Sequence, residues 1–344
     1  MYEGFFGLRE RPFNLTPDPR FLFMTPGHRE ALTTIQYGIS GHKGITLLIG
    51  AAGTGKTTLV HAALKTQEGV NVKAIHLANP TLTRQEFFEF LALELGLSEA
   101  AAGSKTYFLR ELDATLQHRH AAGFVTALVV DEAQAMSDTL LEEVRLLANS
   151  ETSQEKLFPV VLIGQPDLAA RLNTGPLRQL KQRVALRASL APLNLRETAD
   201  YMAERIRVAG GDIRTVFAPE AVVAIFGCSG GIPRTISVVC DNALVSGFAI
   251  DQRPVGRSVI AEVCRDFDLP GPNGNVSHAD TKATLEARPA APAVAAASSL
   301  IARSAAVPML KTTLGLRRDG VKAAAEKTEP RRGFFSLFVR TAPR

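Results

Sequence analysis

The chain has 344 residues, 46% hydrophobic and 21% charged, which is enough apolar material for a sizeable core and enough length for two domains. No run of about 18 apolar residues escapes a charge or a proline, and the first residues lack the basic start and apolar core of a signal peptide. Three cysteines (Cys228, Cys240, Cys264) lack metal-ligand spacing, are too few for a disulfide framework, and read as small buried hydrophobes in a reducing cytoplasm.

The net charge of +5 is unevenly placed. Residues 271–344 carry 12 Lys/Arg against 5 Asp/Glu, a net +7, which leaves residues 1–270 at −2. A near-neutral body disfavours a broad DNA-binding face.

Residues 1–44 form an entry segment. Phe5, Phe6, Phe13, Phe21 and Phe23 crowd around Pro12, Pro17 and Pro19, predicting an irregular aromatic strap, followed by a helix over 28–39. The apolar run 45–49 predicts a buried strand. It leads into Gly50-Ala51-Ala52-Gly53-Thr54-Gly55-Lys56-Thr57 and then a helix that begins near Lys56 and includes Thr58. Strand, glycine-rich turn and helix is the setting in which GxxxxGK[ST] cradles phosphate, because successive N–H groups and the positive helix end converge on the anion. Lys56 is then the β/γ-phosphate cation and Thr57 the hydroxyl that holds Mg²⁺.

Further strands are predicted over 72–77, 125–130, 160–164 and 184–190, with helices over 83–95, 105–120 and from Leu140 onward between them. Continuous apolar strands alternating with helices imply a parallel five-stranded sheet covered on both faces. The strand at 125–130 runs into Asp131 and Glu132, the place for a metal-side carboxylate (Asp131) and a water-polarising one (Glu132). The competing reading is an acidic pair at a helix start. Gln165 follows the fourth strand, either as an amide bridging phosphate and water or as the residue before a helix opened by Pro166. Arg178 and Arg183 precede the fifth strand, where a guanidinium serves a neighbouring subunit's site or merely solvates a helix face.

From Leu193 the period changes to helices alone, over 196–208, 219–226, 233–248 and 255–267. Gly230-Gly231-Ile232-Pro233-Arg234 opens one of them and places Arg234 to sense the γ-phosphate. The predicted organisation is a strap and helix at 1–44, an α/β domain at 45–192, an all-helical lid at 193–269, and a low-complexity basic tail at 270–344 that is expected to be disordered. The seven histidines show no metal-site spacing, and His118 and His120 read as helix surface or helix end.

In this order the motifs resemble the AAA+ ATPases, a P-loop NTPase fold. Tyr2-Glu3-Gly4-Phe5-Phe6-Gly7-Leu8-Arg9, Pro17-Asp18-Pro19-Arg20 and Gly27-His28-Arg29-Glu30-Ala31-Leu32 narrow the resemblance to the general secretion pathway protein A type, over about residues 1–269. The resemblance implies ATP with Mg²⁺, an adenine site near the strap, and a homo-oligomer, ring or partial ring, with sites at subunit interfaces. Secretion members carry a transmembrane helix and a peptidoglycan-binding domain after the ATPase module. Neither is legible here, so the chain looks closer to ATPases encoded with exosortase and exopolysaccharide export. The expectation is a cytoplasmic ATPase that remodels or regulates an export assembly at the inner membrane, with Phe334, Phe335 and Phe338 in the basic tail offering weak membrane contact. A DNA-associated transposition helper and a nucleotide-gated scaffold with little turnover are the alternatives.

Overall fold

A strand that is apolar at every position gains nothing from a half-solvated sheet, so such strands collect in the middle of one. A computed structural model describes residues 1–16, 18–65 and 71–271. The basic tail and its aromatic block lie outside the described residues. The predicted strands appear as β1 (Ile45–Gly50), β2 (Val72–Leu77), β3 (Val125–Val130), β4 (Val160–Gly164) and β5 (Val184–Leu190). They pair in parallel in the order β2-β3-β4-β1-β5. β1, β3 and β4 are buried throughout, while the edge strands β2 and β5 alternate with solvent-facing positions.

Strand alternation sorts each strand onto two cores. Leu47, Leu128, Val130, Val160 and Leu162 face helices Arg84–Leu95, Lys105–Ala121 and Asp138–Leu147. Leu48, Ala127, Val129, Val161 and Ile163 face α1 (Pro26–Ser40) and α2 (Lys56–Lys65). Start signals are local: the Thr25 hydroxyl accepts the His28 N–H at the head of α1, and Thr83 closes a capping box with Glu86. After β3 comes α3 (Asp138–Leu147), after β4 comes α4 (Pro166–Arg171), and α5 (Arg178–Arg183) leads into β5.

A third core has no strand. It joins α6 (Leu195–Val208), α7 (Pro219–Ser229), α8 (Pro233–Ala249) and α9 (Arg257–Asp266) to the strap residues Tyr2, Phe6, Leu8, Phe13 and Phe21. The segment expected at 1–44 as one unit thus serves two cores, its aromatic strap packing on the helices and α1 packing on the sheet. Phe5 meets Phe248, Phe13 meets Phe217 and Phe23 meets Tyr201 edge-on, with centroids 5.6, 6.2 and 5.8 Å apart. The Arg205 guanidinium lies 6.0, 5.0 and 5.5 Å from the Phe13, Phe21 and Tyr201 rings and donates to the Pro12 and Asn14 carbonyls. All three cysteines are buried within this core, as expected for small hydrophobes, and burial pushes the Cys228 and Cys240 thiols up.

Gly231 carries the crossing between the sheet and the helical core. It has φ +74°, and a Cβ there would stand 1.9 Å from the Leu193 carbonyl oxygen. Only glycine permits that approach, and the Gly231 carbonyl accepts the Leu193 N–H at 2.8 Å.

Candidate functional site

β3, β4 and β1 are neighbours, so the loops leaving their carboxyl ends meet. The loop after β1 winds tightly: the Thr54 hydroxyl donates to the Ala51 carbonyl at 2.9 Å. Lys56 is only 5% exposed, and its ammonium donates to the carbonyls of Gly50 (2.9 Å) and Ala51 (3.0 Å). Burial pushes its pKa down, while Glu132 and Asp131 pull the other way. A buried charge bonded only to backbone carbonyls is poised to favour a polyanion.

The Thr57 hydroxyl donates to Asp131 Oδ2 at 2.6 Å, joining the cradle directly to the acidic pair. A hydroxyl and a carboxylate this close are the donor set of an oxygen-preferring divalent cation. Asp131 Oδ1 accepts the Glu132 N–H at 2.8 Å. Glu132 has φ +48°, a left-handed conformation that costs a non-glycine residue roughly 1 kcal/mol or more. Its carboxylate is gripped by two amides, those of Gln134 and Gln165, the latter at 3.2 Å. The Gln165 N–H donates in turn to Gln134 Oε1 at 3.1 Å. Arg171 of α4 donates to the carbonyls of Gln134 (2.6 Å) and Met136 (3.0 Å) and fixes the loop from outside.

Of the two expectations for Gln165, the structure displays the helix start. Gln165 precedes Pro166 at the head of α4 without a side-chain cap bond, and its amide is spent on Glu132. Asp131 and Glu132 lie in a bend just past the strand, where Glu132 precedes the short 3₁₀ segment Ala133–Ala135, and neither heads α3, whose cap is Ser137.

The opposite wall belongs to the strap and the helices. Phe21, Leu22, Phe23, Tyr201 and Arg205 face Gly53, Thr54, Gly55, Lys56, Thr57 and Thr58 across a cleft of about 390 Å³, in the range of small-molecule sites. The walls touch at Gly53, which has φ +79° and whose missing Cβ would lie 2.8 Å from the Arg234 Cβ. The Arg234 N–H donates to the Gly53 carbonyl at 3.2 Å, and its exposed side chain lines the cleft with Glu132.

His28 reaches the cradle from α1. Its Nδ1 stands 2.7 Å from the Thr25 hydroxyl and its Nε2 3.4 Å from the Thr54 carbonyl, and burial lowers its pKa. Gln134, Tyr201 and Arg205 escaped motif reading, and His28 entered it only within the segment 27–32, with no role at the site. A polar residue two positions past an acidic pair was the one available signal, for Gln134.

Arg178 and Arg183 are not brought to this cleft. α5 ends where β5 begins, and Val184 pairs with Ile45 at the start of β1, whereas the cradle leaves at Gly50. At about 3.3 Å of rise per residue, those ends are roughly 16 Å apart along the strand.

Residues 39–172 match the family model described as AAA domain. The chain is 40% identical over 250 residues to general secretion pathway protein A of Aeromonas hydrophila, an alignment covering 72% of this chain and 45% of that protein. The chain thus spans about half the length of the curated relative it matches. Among solved structures it is similar to the ORC2 protein of Aeropyrum pernix in its ADPNP-ADP complexes, at 17% identity and a TM-score of 0.55 over 74% of this chain and 71% of that one. It is likewise similar to Cdc6p of Pyrobaculum aerophilum, at 14% identity and a TM-score of 0.55 over 74% and 70% of the two chains. At these identities the likeness is one of fold.

Proposed function

We propose that this chain, which belongs to the AAA family of P-loop proteins in its general secretion pathway protein A type, binds ATP with Mg²⁺ in the cleft and hydrolyses it. The Thr57–Asp131 hydrogen bond carries the reading, because it puts the phosphate cradle and the acidic pair in one site. Lys56 faces the β- and γ-phosphates. Thr57 and Asp131 would hold Mg²⁺, which would supply neutralisation of the charge that develops on the phosphates. Glu132, aimed by Gln134 and Gln165, accepts a proton from the attacking water, and Arg234 stands at the γ-phosphate end from α8. The adenine ring lies toward Phe21, Phe23 and Tyr201, where stacking partners are available.

The reading extends to assembly. Arg178 or Arg183, distant from the cleft of its own chain, serves the cleft of a neighbouring copy in a homo-oligomer, ring or partial ring. The matched relative's name supports action on a secretion assembly, and we extend the reading to export assemblies at the inner membrane. Among the described residues no helix is long and apolar enough to cross a membrane.

Steady-state phosphate release tests this. Glu132→Gln should lower Mg²⁺-dependent turnover by about 100-fold or more, with ATP affinity held within about threefold. Equal rates in the two proteins would overturn the assignment of hydrolysis.

A further inference from the structure

The three strands that carry the nucleotide machinery at their carboxyl ends gather a second constellation at their amino ends. His42 lies in the loop entering β1, His120 in the last turn of the helix entering β3, and Glu155 in the turn entering β4. Glu155 Oε2 is 3.9 Å from His42 Nε2 and 3.8 Å from His120 Nε2, and the donor atoms of all three residues lie within 4.8 Å of one another. The two imidazoles meet edge to face, with centroids 5.5 Å apart.

We propose that His42, His120 and Glu155 form a Zn²⁺ site that ties these three strand-entry loops together. His42 is prepared as a ligand. Its Nδ1 donates to the Lys156 carbonyl at 2.8 Å, which fixes the tautomer and leaves the Nε2 lone pair facing Glu155. The residue is held in place by a left-handed backbone, φ +50°, and its side chain is 13% exposed.

Two imidazoles and a carboxylate suit a borderline ion such as Zn²⁺ better than an oxygen-preferring one. Tetrahedral Zn²⁺ with bonds near 2.0 Å separates its ligand atoms by about 3.3 Å, so modest rotation of His120 and of the half-exposed Glu155 closes the set. That exposure leaves the fourth position to water. The neighbouring cation does not compete, since the Lys156 ammonium pairs with Glu151 across the same turn. The occupant would stiffen the 151–156 turn beside the recess lined by Lys156 and Arg183.

The test uses the full chain without an affinity tag, in excess Mg²⁺. Calorimetric titration with Zn²⁺, and visible absorption with Co²⁺ as its spectroscopic substitute, should show one tight site per chain and a raised thermal midpoint. Glu155→Gln and His120→Ala should each weaken Zn²⁺ binding by about 100-fold or more and abolish the midpoint rise. His42→Asn, which keeps a residue tolerant of the left-handed backbone, should do the same. His61→Gln, in the separate His61–His76 ring pair, should change neither readout. Because Glu155 is exposed, its variant is expected to fold whatever becomes of the others. Undiminished Zn²⁺ binding in Glu155→Gln and His120→Ala, or binding by the unaltered chain weaker than about 100 µM, overturns the site.

Discussion

One wall of the cleft sets Lys56, Thr57, Asp131, Glu132 and Gln165 on the ends of three adjacent strands, and the other sets Phe21, Phe23, Tyr201 and Arg205 on a strand-free core of helices and strap. Four groups on the first wall form a chain of polar bonds, Thr57 to Asp131, Asp131 to Glu132 and Glu132 to Gln165, while Lys56 is bonded to the cradle's own carbonyls. The second wall is held by rings and one guanidinium, with apolar burial as its main support. Fixed dipoles suit a wall that stabilises developing charge, whereas packed rings suit one that grips a base and can shift as a body. The comparison assigns rate to the sheet wall and affinity to the helical wall, and both must fail together where the walls are joined.

The crossing at Gly231 is the most sensitive point. Gly231→Ala drives a Cβ into the Leu193 carbonyl at a backbone angle that L-residues rarely adopt, with nothing flexible to yield. The expected loss is about 3 kcal/mol or more, read as a fall in thermal midpoint together with weakened ATP binding. An unchanged midpoint would mean that the two walls are not joined through this residue.

Arg205→Leu separates the walls' roles. It keeps an apolar stem and removes the guanidinium from three rings and two strap carbonyls. We expect about 2 kcal/mol of destabilisation and a KM for ATP raised about tenfold, with kcat within about twofold. A fall in kcat at constant KM would reverse the assignment of affinity to this wall.

The two walls also differ in how far the sequence displays them. The five strands, the cradle and the acidic pair follow from local signals: an apolar run of five or six residues, a glycine pattern, two adjacent carboxylates. Parallel pairing points their carboxyl ends the same way, and sheet order sets β3, β4 and β1 side by side. Glu132's left-handed backbone and the grip of Gln134 and Gln165 depend on sheet order, which pairs β3 with β4 and is not written in any single segment. The helical wall is less legible still. Phe13 and Arg205 stand 192 positions apart, and nothing in a strap rich in proline and phenylalanine says which helix it covers. His42, His120 and Glu155 carry no spacing signal for the same reason: each comes from a different strand-entry loop.

His28 yields the smallest effect and the finest probe, since it stands in α1 on the sheet side yet touches the cradle. With Nε2–H donating to the Thr54 carbonyl, Nδ1 accepts the Thr25 hydroxyl proton, so the neutral ring satisfies both partners. Burial holds its pKa below the usual 6.5, against the smaller opposing pull of the Thr54 carbonyl and Glu197. The unfolded chain therefore takes up the proton first as pH falls. The stabilisation is complete above about pH 6.5 and is lost as pH drops through that value toward the lower folded one. Protonation at Nδ1 also removes the acceptor for Thr25. His28→Gln, neutral at every pH and able to donate to Thr54, should flatten this part of the dependence. Thermal midpoints at about pH 7.5 and 5.5 should differ less in the variant than in the unaltered chain, and the KM for ATP of the unaltered chain should rise on the acid side. Identical pH dependence in the two proteins would place His28 outside the coupling of α1 to the cradle and leave the sheet wall held by its polar chain alone.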